Sequence, residues 1–447
     1  MHHSAVTDRS LFSLSWPIFI DLFLHQATIL INIAMVSHLS TNYVAAMNVG
    51  NHLFHLCVTI FSFISVGCSV VVAQYLGAQK RDTARNVIHI SIALNMLLGT
   101  FVALVIFFFG WDALKLMNTP DSLMQDAYNY LHILGICLLF EAISLILAAS
   151  IRVYGKTQAV MYVSLFINII TVFGNILLLY GFFGLPQLGL IGVAVSTAFG
   201  RLVGMGILFY LLFHGLKIHF EYHLLFRWTK KQLGQILKIG LPSAGENLVW
   251  FLHYLTALAF VGLMGELSLA AESIYFAIAS FIMLLGASVS IANEIIVAHY
   301  VGASQFDKAY KQGFHAIRAG FITSLIAAAL IYLASPFISR LLTDDQSVIA
   351  IMAPLFLLGI LLEPGRSLNI VMVNALRASG DAAFPLKTAI LFMWGISIPL
   401  GYYLGIKLEI GLLGIWIGFC ADEWIRGLTN TYHWYSKKWQ TKRLNID

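Results

Sequence analysis

Charge is what this sequence most lacks. Asp, Glu, Lys and Arg make up 11% of its 447 residues, against 59% hydrophobic residues and a mean hydropathy of +0.84. A soluble chain needs about 25% charged residues to cover its surface. The outer surface of this one must therefore face lipid, which excludes the two or three soluble domains that length alone would suggest. The formal excess of +5 is small, and no basic tract is interleaved with aromatics, so nucleic acid is not an expected partner. Cysteine is scarce: Cys57, Cys68, Cys137 and Cys420 each sit in an apolar run, and none has metal-ligand spacing. They read as small buried hydrophobes, and neither a metal nor another cofactor is expected. The phrase G-x-x-x-x-G-K-[ST] is missing, so ATP is not the expected energy source. Every loop is short and lacks an acid or metal constellation, which argues against an enzyme. The first apolar run, from Leu11 to about Leu39, is too long for the core of a cleavable leader, and none is expected.

What is present is a repeat. "SIRVYGK" (Ser150–Lys156) and "ALRASGD" (Ala375–Asp381) share R-x-x-G, with Arg152 and Arg377 offset by 225 residues. Pro17 and Pro242, in "LSWPIFID" and "IGLPSAGE", stand at the same offset, as do Gly77 and Gly302, in "AQYLGAQ" and "AHYVGAS". Later the register slips by three: "GLIGVAV" from Gly189 matches "GLLGIWI" from Gly411, an offset of 222. The chain is two copies of one unit.

Crossing a bilayer takes about 20 apolar residues. Six such stretches fall in each half, near 11–39, 43–76, 86–110, 124–152, 157–182 and 187–214, then near 237–265, 268–301, 313–337, 347–377, 384–406 and 410–435. The expected fold is all-α and integral to the membrane, with twelve transmembrane helices in two six-helix lobes. The lobes are 1–214 and 237–447, the second with a short cytoplasmic tail, joined by a cytoplasmic linker, 215–236. Of the 26 Lys and Arg, only Lys115, Arg340 and Lys407 lie in the loops on one side, and Arg201, Arg366 and Arg426 lie within spans. The other twenty lie on the opposite side, which puts both termini in the cytoplasm. An even number of spans per copy makes the repeats parallel, an arrangement suited to a transporter. The segment from Lys217 to Lys238, containing "RWTKKQLGQILK", reads as an interfacial amphipathic linker.

Two six-helix lobes, a proline in helices one and seven, "QYLGA" and "HYVGA" closing helices two and eight, and R-x-x-G after helices four and ten resemble the multidrug and toxic compound extrusion (MATE) family. "LLEPGRSLNIVMVNALRASGD" (Leu361–Asp381) is similar to a bacterial member nearly throughout. The resemblance covers the whole chain. It implies a monomeric, multi-pass protein of the bacterial inner membrane. Such a protein exports small organic, often cationic amphipathic compounds against inward flow of H⁺, or of Na⁺ in one branch. In the R-x-x-G phrase, glycine is read as permitting the chain reversal and arginine as an anchor at the phosphate layer. A lipid-linked oligosaccharide flippase of the wider superfamily, or Na⁺-coupled export of a different metabolite, is the alternative.

The sequence departs from that family at its ion sites. Members often carry an acid in helix one and another in helix five; Asn32 and Asn175 stand there. An amide hydrogen-bonds but does not titrate, so these two are candidates for substrate binding or for a polar patch between helices. The sodium branch's acid in helix ten falls at Arg366, and its helix-seven Glu at Trp250. Several acids remain within spans, where a carboxylate costs several kcal/mol and faces a cavity or a partner. Glu246 lies four residues after Pro242, as Asp21 does after Pro17. Glu246 first and Glu294 second are the candidate proton carriers, since neither has a Lys or Arg within one turn. Glu272 is a further candidate, and Trp250 and Tyr254, with Tyr275 and Phe276, lie near these acids at helical spacing and could line a cation-binding wall. Glu363 with Arg366, and Asp422 and Glu423 with Arg426, are candidate structural ion pairs by their spacing. Glu141 is the repeat mate of Arg366, and His25 and His52 are read as packed polar residues.

Reporter fusions after Lys80, Lys156, Lys231 and Lys438 are expected to read cytoplasmic, and fusions near Lys115 and Lys407 periplasmic. A periplasmic signal at Lys231 would overturn the two-lobe topology.

Overall fold

Inside a bilayer no water satisfies peptide groups, so each apolar stretch must close its own hydrogen bonds as a helix. The computed structural model describes residues 6–181, 184 and 186–446. Its long helices are α1 Leu11–Ser37, α2 Thr41–Gly77, α3 Arg81–Leu116, α4 Asp121–Val153, α5 Thr157–Tyr180, α6 Leu190–Gly215, α7 Lys230–Leu263, α8 Glu266–Gly302, α9 Phe306–Leu342, α10 Gln346–Ser379, α11 Ala383–Lys407 and α12 Leu412–Tyr435. Eleven of the twelve are long and apolar enough to cross a membrane by length and composition alone. The exception is α12, which carries Asp422, Glu423 and Arg426, all buried. Its spanning character depends on burying that charge inside the protein. Three helices, α2, α8 and α9, run to 37 residues, well beyond the roughly 20 a hydrocarbon core requires.

The linker is shorter than the sequence pattern predicts. Helix α7 already begins at Lys230, inside the basic segment. Thr229 starts it: the Gln232 amide donates to Thr229 Oγ1 at 3.3 Å, and that hydroxyl donates to Gln232 Oε1 at 2.7 Å. This is a local variant of the capping box.

Two compact units result. The C-terminal unit comprises residues up to Phe19, Gln74–Gln79 and the chain from Leu241 onward; the N-terminal unit comprises 20–73 and 80–240. In the N-terminal unit, Phe54, Phe61, Leu131, Leu134 and Leu138 lie at the centre of the apolar core. In the C-terminal unit, Tyr275, Phe356, Leu362, Trp416 and Phe419 do so.

Two motifs of the repeat now have physical reasons. Both R-x-x-G glycines are left-handed, Gly155 at φ 80° and Gly380 at φ 103°. Each donates its amide to the carbonyl of the arginine three residues earlier, at 2.8 and 2.9 Å. A side chain at either position would be strained. Gly77 and Gly302, both in the C-terminal unit, are required by close approach instead. A Cβ on Gly77 would stand 2.1 Å from the His299 carbonyl oxygen, and one on Gly302 would stand 2.0 Å from that of Gln74. The ends of α2 and α8 thus touch backbone to backbone through repeat-related glycines.

Gly77→Ala and Gly302→Ala are each expected to destabilise the protein by roughly 1–3 kcal/mol, as overpacking does. Gly206→Ala, at a site with no neighbour within 4 Å, is the control. Thermal unfolding in detergent measures the difference, and equal midpoints for all three would refute the close-approach account.

Candidate functional site

In the N-terminal unit the polar residues of five apolar helices converge. Asp21 on α1 accepts a hydrogen bond from Arg152 Nη2 at the end of α4. About three turns back along α4, Glu141 pairs with Arg201 on α6. The Arg201 guanidinium also lies 5.1 Å from the centre of the Phe54 ring. Asn175 Nδ2 on α5 donates to Asn32 Oδ1 on α1 at 2.7 Å, and the Ser196 hydroxyl on α6 donates to Asn175 Oδ1. The two amides at the family's acid positions are thus joined in one chain, and Asn175 is fully buried. Beside them opens a cavity of about 390 Å³, lined among others by Asn32, Phe54, Tyr130, Glu141 and Arg201. His25 lines it too, which corrects its reading as a packed residue; His55 rather than His52 is its partner there.

The C-terminal unit repeats the first pair. Arg377 Nη2 donates to Glu246 Oε2 at 2.6 Å. The separation in sequence is 131 residues, the same as between Asp21 and Arg152. The R-x-x-G arginines are therefore partners of the acids one turn beyond the helix-one and helix-seven prolines. This corrects their reading as anchors at the phosphate layer. It also changes the standing of Glu246, whose cation comes from another helix, where local spacing could not reveal it. Arg377 further donates to Asn374 Oδ1 at 2.9 Å, and Asn374 donates to the Ser290 hydroxyl at 2.5 Å. Glu294, buried on α8, has no hydrogen bond or ion pair among the described residues, and Arg377 acts on it only through its field.

The ion-pair candidates form one network. Arg366 Nη1 donates to Glu363 Oε1 at 2.7 Å, and its Nε lies 3.5 Å from Glu423 Oε1. Arg426 binds Asp422 through Nε and Nη2, at 2.9 and 2.6 Å, and lies 3.2 Å from Glu423. Asn369 donates to Glu423 at 2.8 Å. Glu272 stands apart, with no ion pair among the described residues. It accepts from Trp416 Nε1 at 2.7 Å and from the Tyr254 hydroxyl at 3.1 Å. Tyr254 stacks on Trp250, with centroids 5.6 Å apart, and meets Phe276 at 4.8 Å. The aromatic candidates near the acids are thus brought together around Glu272, while Tyr275 packs on the other side, against Trp416.

A charge swap links the two units. Glu141 corresponds to Arg366 at offset 225, and Arg201 corresponds to Glu423 at the slipped offset of 222. The same pair of positions, on α4 and α6 in one unit and α10 and α12 in the other, carries an acid and an arginine in opposite order. Sequence spacing could not pair them, because the partners lie on different helices. The signal was the repeat itself, read at both offsets.

The MatE family model matches residues 17–177 and 242–403. The chain is 36% identical over 435 residues to the uncharacterized transporter YisQ of Bacillus subtilis, covering 97% of this chain and 96% of that protein. It is 25% identical to the probable multidrug resistance protein NorM of Thermotoga maritima, over 92% of this chain and 88% of that one. Its fold matches the Vibrio cholerae MATE transporter VcmN with a TM-score of 0.90 at 17% identity, covering 98% of each chain.

Glu141 and Arg201 line the cavity and are partly buried, so loss of either leaves a charge without its partner in a poorly hydrated place. Arg201→Ala is therefore expected to cost about 2 kcal/mol, between an exposed pair and a fully buried one. The exchange Glu141→Arg/Arg201→Glu is expected to recover most of that loss, because the other unit uses that order. Unfolding midpoints of wild type, single and double variants test this, and a double variant no more stable than the single would refute it.

Proposed function

The chain belongs to the MATE family of membrane transporters, and from that premise we propose that it is a secondary active exporter of organic cations driven by inward flow of H⁺. The proton reading is carried by Glu294. Arg377 neutralises Glu246, so the C-terminal unit holds one carboxyl more at this place than it has cations. An unpaired carboxyl in a low-dielectric surround favours its neutral, protonated form. Protonation lets Glu294 sit buried without a partner; release of the proton leaves a negative charge that must be stabilised from elsewhere. A hard cation such as Na⁺ wants several oxygen ligands, and Arg377 opposes it here.

The cargo reading is supported by the cavity of the N-terminal unit. Its volume of about 390 Å³ falls within the roughly 300–1,000 Å³ typical of small-molecule sites. Its wall combines Phe54 and Tyr130 with the amides of Asn32, Asn51 and Asn168 and the carboxylates of Asp21 and Glu141, which suits a flat amphipathic cation. The name of the Thermotoga relative, a probable multidrug resistance protein, agrees with such a cargo. Asn32, held in place by Asn175 behind it, would then orient it by hydrogen bonds. Glu272 with Trp250 and Tyr254 offers a second place for an aromatic cation. The same reading puts the protein in the bacterial inner membrane as a monomer, with both termini cytoplasmic.

Purified protein in liposomes, given a pH gradient or a Na⁺ gradient separately, tests the proposal with ethidium movement as readout. The pH gradient is expected to drive transport and the Na⁺ gradient at constant pH to leave it at the level of empty liposomes. Glu294→Gln is expected to abolish the pH-driven movement while the protein still inserts and binds dye. Na⁺-driven transport at constant pH would overturn the proton reading.

A further inference from the structure

The cavity of the N-terminal unit holds two groups that neither the ion pairs nor the amide chain uses. His25 on α1 and His55 on α2 both line it, with ring centroids 6.4 Å apart and planes at 87°. We propose that this imidazole pair is a second proton site, and that one proton and one organic cation exclude each other from the same cavity. The inference rests on the proton-coupled reading above and adds a site in the other unit.

Geometry makes the case. Asp21 stands one turn before His25 on α1 and is bound by Arg152 of α4. Glu141 of α4 and Arg201 of α6 act on both rings and are bound to each other. His52, on the same helix as His55, also acts on that ring, and the Tyr130 hydroxyl of α4, which donates to Asn51, stands in the same wall. The residues that α5 contributes to the wall, Ser164, Asn168 and Thr171 among them, carry no charge. Two carboxylates therefore face two guanidinium groups, and with neutral imidazoles the cavity is electrically balanced. One added proton tips it to net positive. That repels a cationic ligand directly, and it offers Glu141 a second cation to bind besides Arg201. A second proton would face both the first and Arg201, so the pair holds one.

Asn32 and Asn175 cannot titrate. Imidazole is the side chain whose ordinary charge change falls between about pH 5 and 8. His25 lies two turns before Asn32, so both present to one face of α1. The replacement of the family's acids by amides then leaves the N-terminal unit with a proton site moved along the same helix face.

The test is a titration of full-length, ¹⁵N-histidine-labelled protein in nanodiscs from about pH 5.5 to 8.5, with and without saturating ethidium. Signals are assigned by their loss in His25→Gln and His55→Gln. One of the two rings is expected to take up a proton in that window, with its midpoint lowered by about half a pH unit or more when ethidium is bound, as linkage between competing ligands requires. Ethidium affinity, read by fluorescence, should fall about threefold or more from pH 7.5 to 6 in wild type and in Glu294→Gln, as linkage to that proton demands. It should stay nearly flat in His25→Gln/His55→Gln. Two rings that remain neutral throughout, a midpoint unmoved by ethidium, or no ethidium binding at any pH would each overturn the proposal. Failure of wild-type liposomes to respond to a pH gradient would instead sink the exporter reading, and the ring titration would still report on this site.

Discussion

A charge in a bilayer-embedded protein has no water to fall back on, so its partner must come from the protein. That constraint orders most of the structure described here. The acid one turn beyond the helix-one or helix-seven proline is answered by the arginine of an R-x-x-G phrase 131 residues later. The glycine of the same phrase turns the chain immediately afterwards. Arginine and glycine are thus retained together because one closes an ion pair at the helix end and the other permits the reversal. The cross-helix pair ties α4 to α1 in one unit and α10 to α7 in the other.

The same constraint explains why the repeat can invert a pair without losing it. Electrostatic attraction between two buried groups does not depend on which helix holds the acid. Glu141–Arg201 and Arg366–Glu423 therefore serve equivalent places with opposite order. The units then diverge in how they fill the surrounding space. The C-terminal unit adds Glu363, Asp422 and Arg426, and builds a continuous network. At the corresponding positions the N-terminal unit has Leu138, Gly200 and Gly204, and beside Glu141–Arg201 a cavity remains. One copy of the unit fills this place with charge, and the other leaves space.

Neutralisation also separates acids that look alike in sequence. Glu246, Glu272 and Glu294 are all buried carboxyls on α7 and α8. Glu246 has an arginine, Glu272 has two neutral donors, and Glu294 has neither among the described residues.

Membrane location, twelve helices, the duplication and most of the helix limits were legible in the sequence, because hydropathy and backbone self-satisfaction act along the chain; the polar ends of α3, α7 and α9, five to seven residues beyond the apolar runs, were not. The short-range pairs Glu363–Arg366 and Asp422–Arg426 were legible for the same reason, since i,i+3 and i,i+4 neighbours share a helix face. So was the pairing in the repeat of Asp21 with Glu246 and of Arg152 with Arg377, though not that each acid meets its arginine. Only the tertiary structure decided which helices touch. It brought Arg377 to Glu246, left Glu294 without a partner among the described residues, joined Asn32 to Asn175, and opened His25 and His55 onto one cavity. Those contacts join residues far apart in the chain. They depend on helix packing, which spacing along a single helix does not encode.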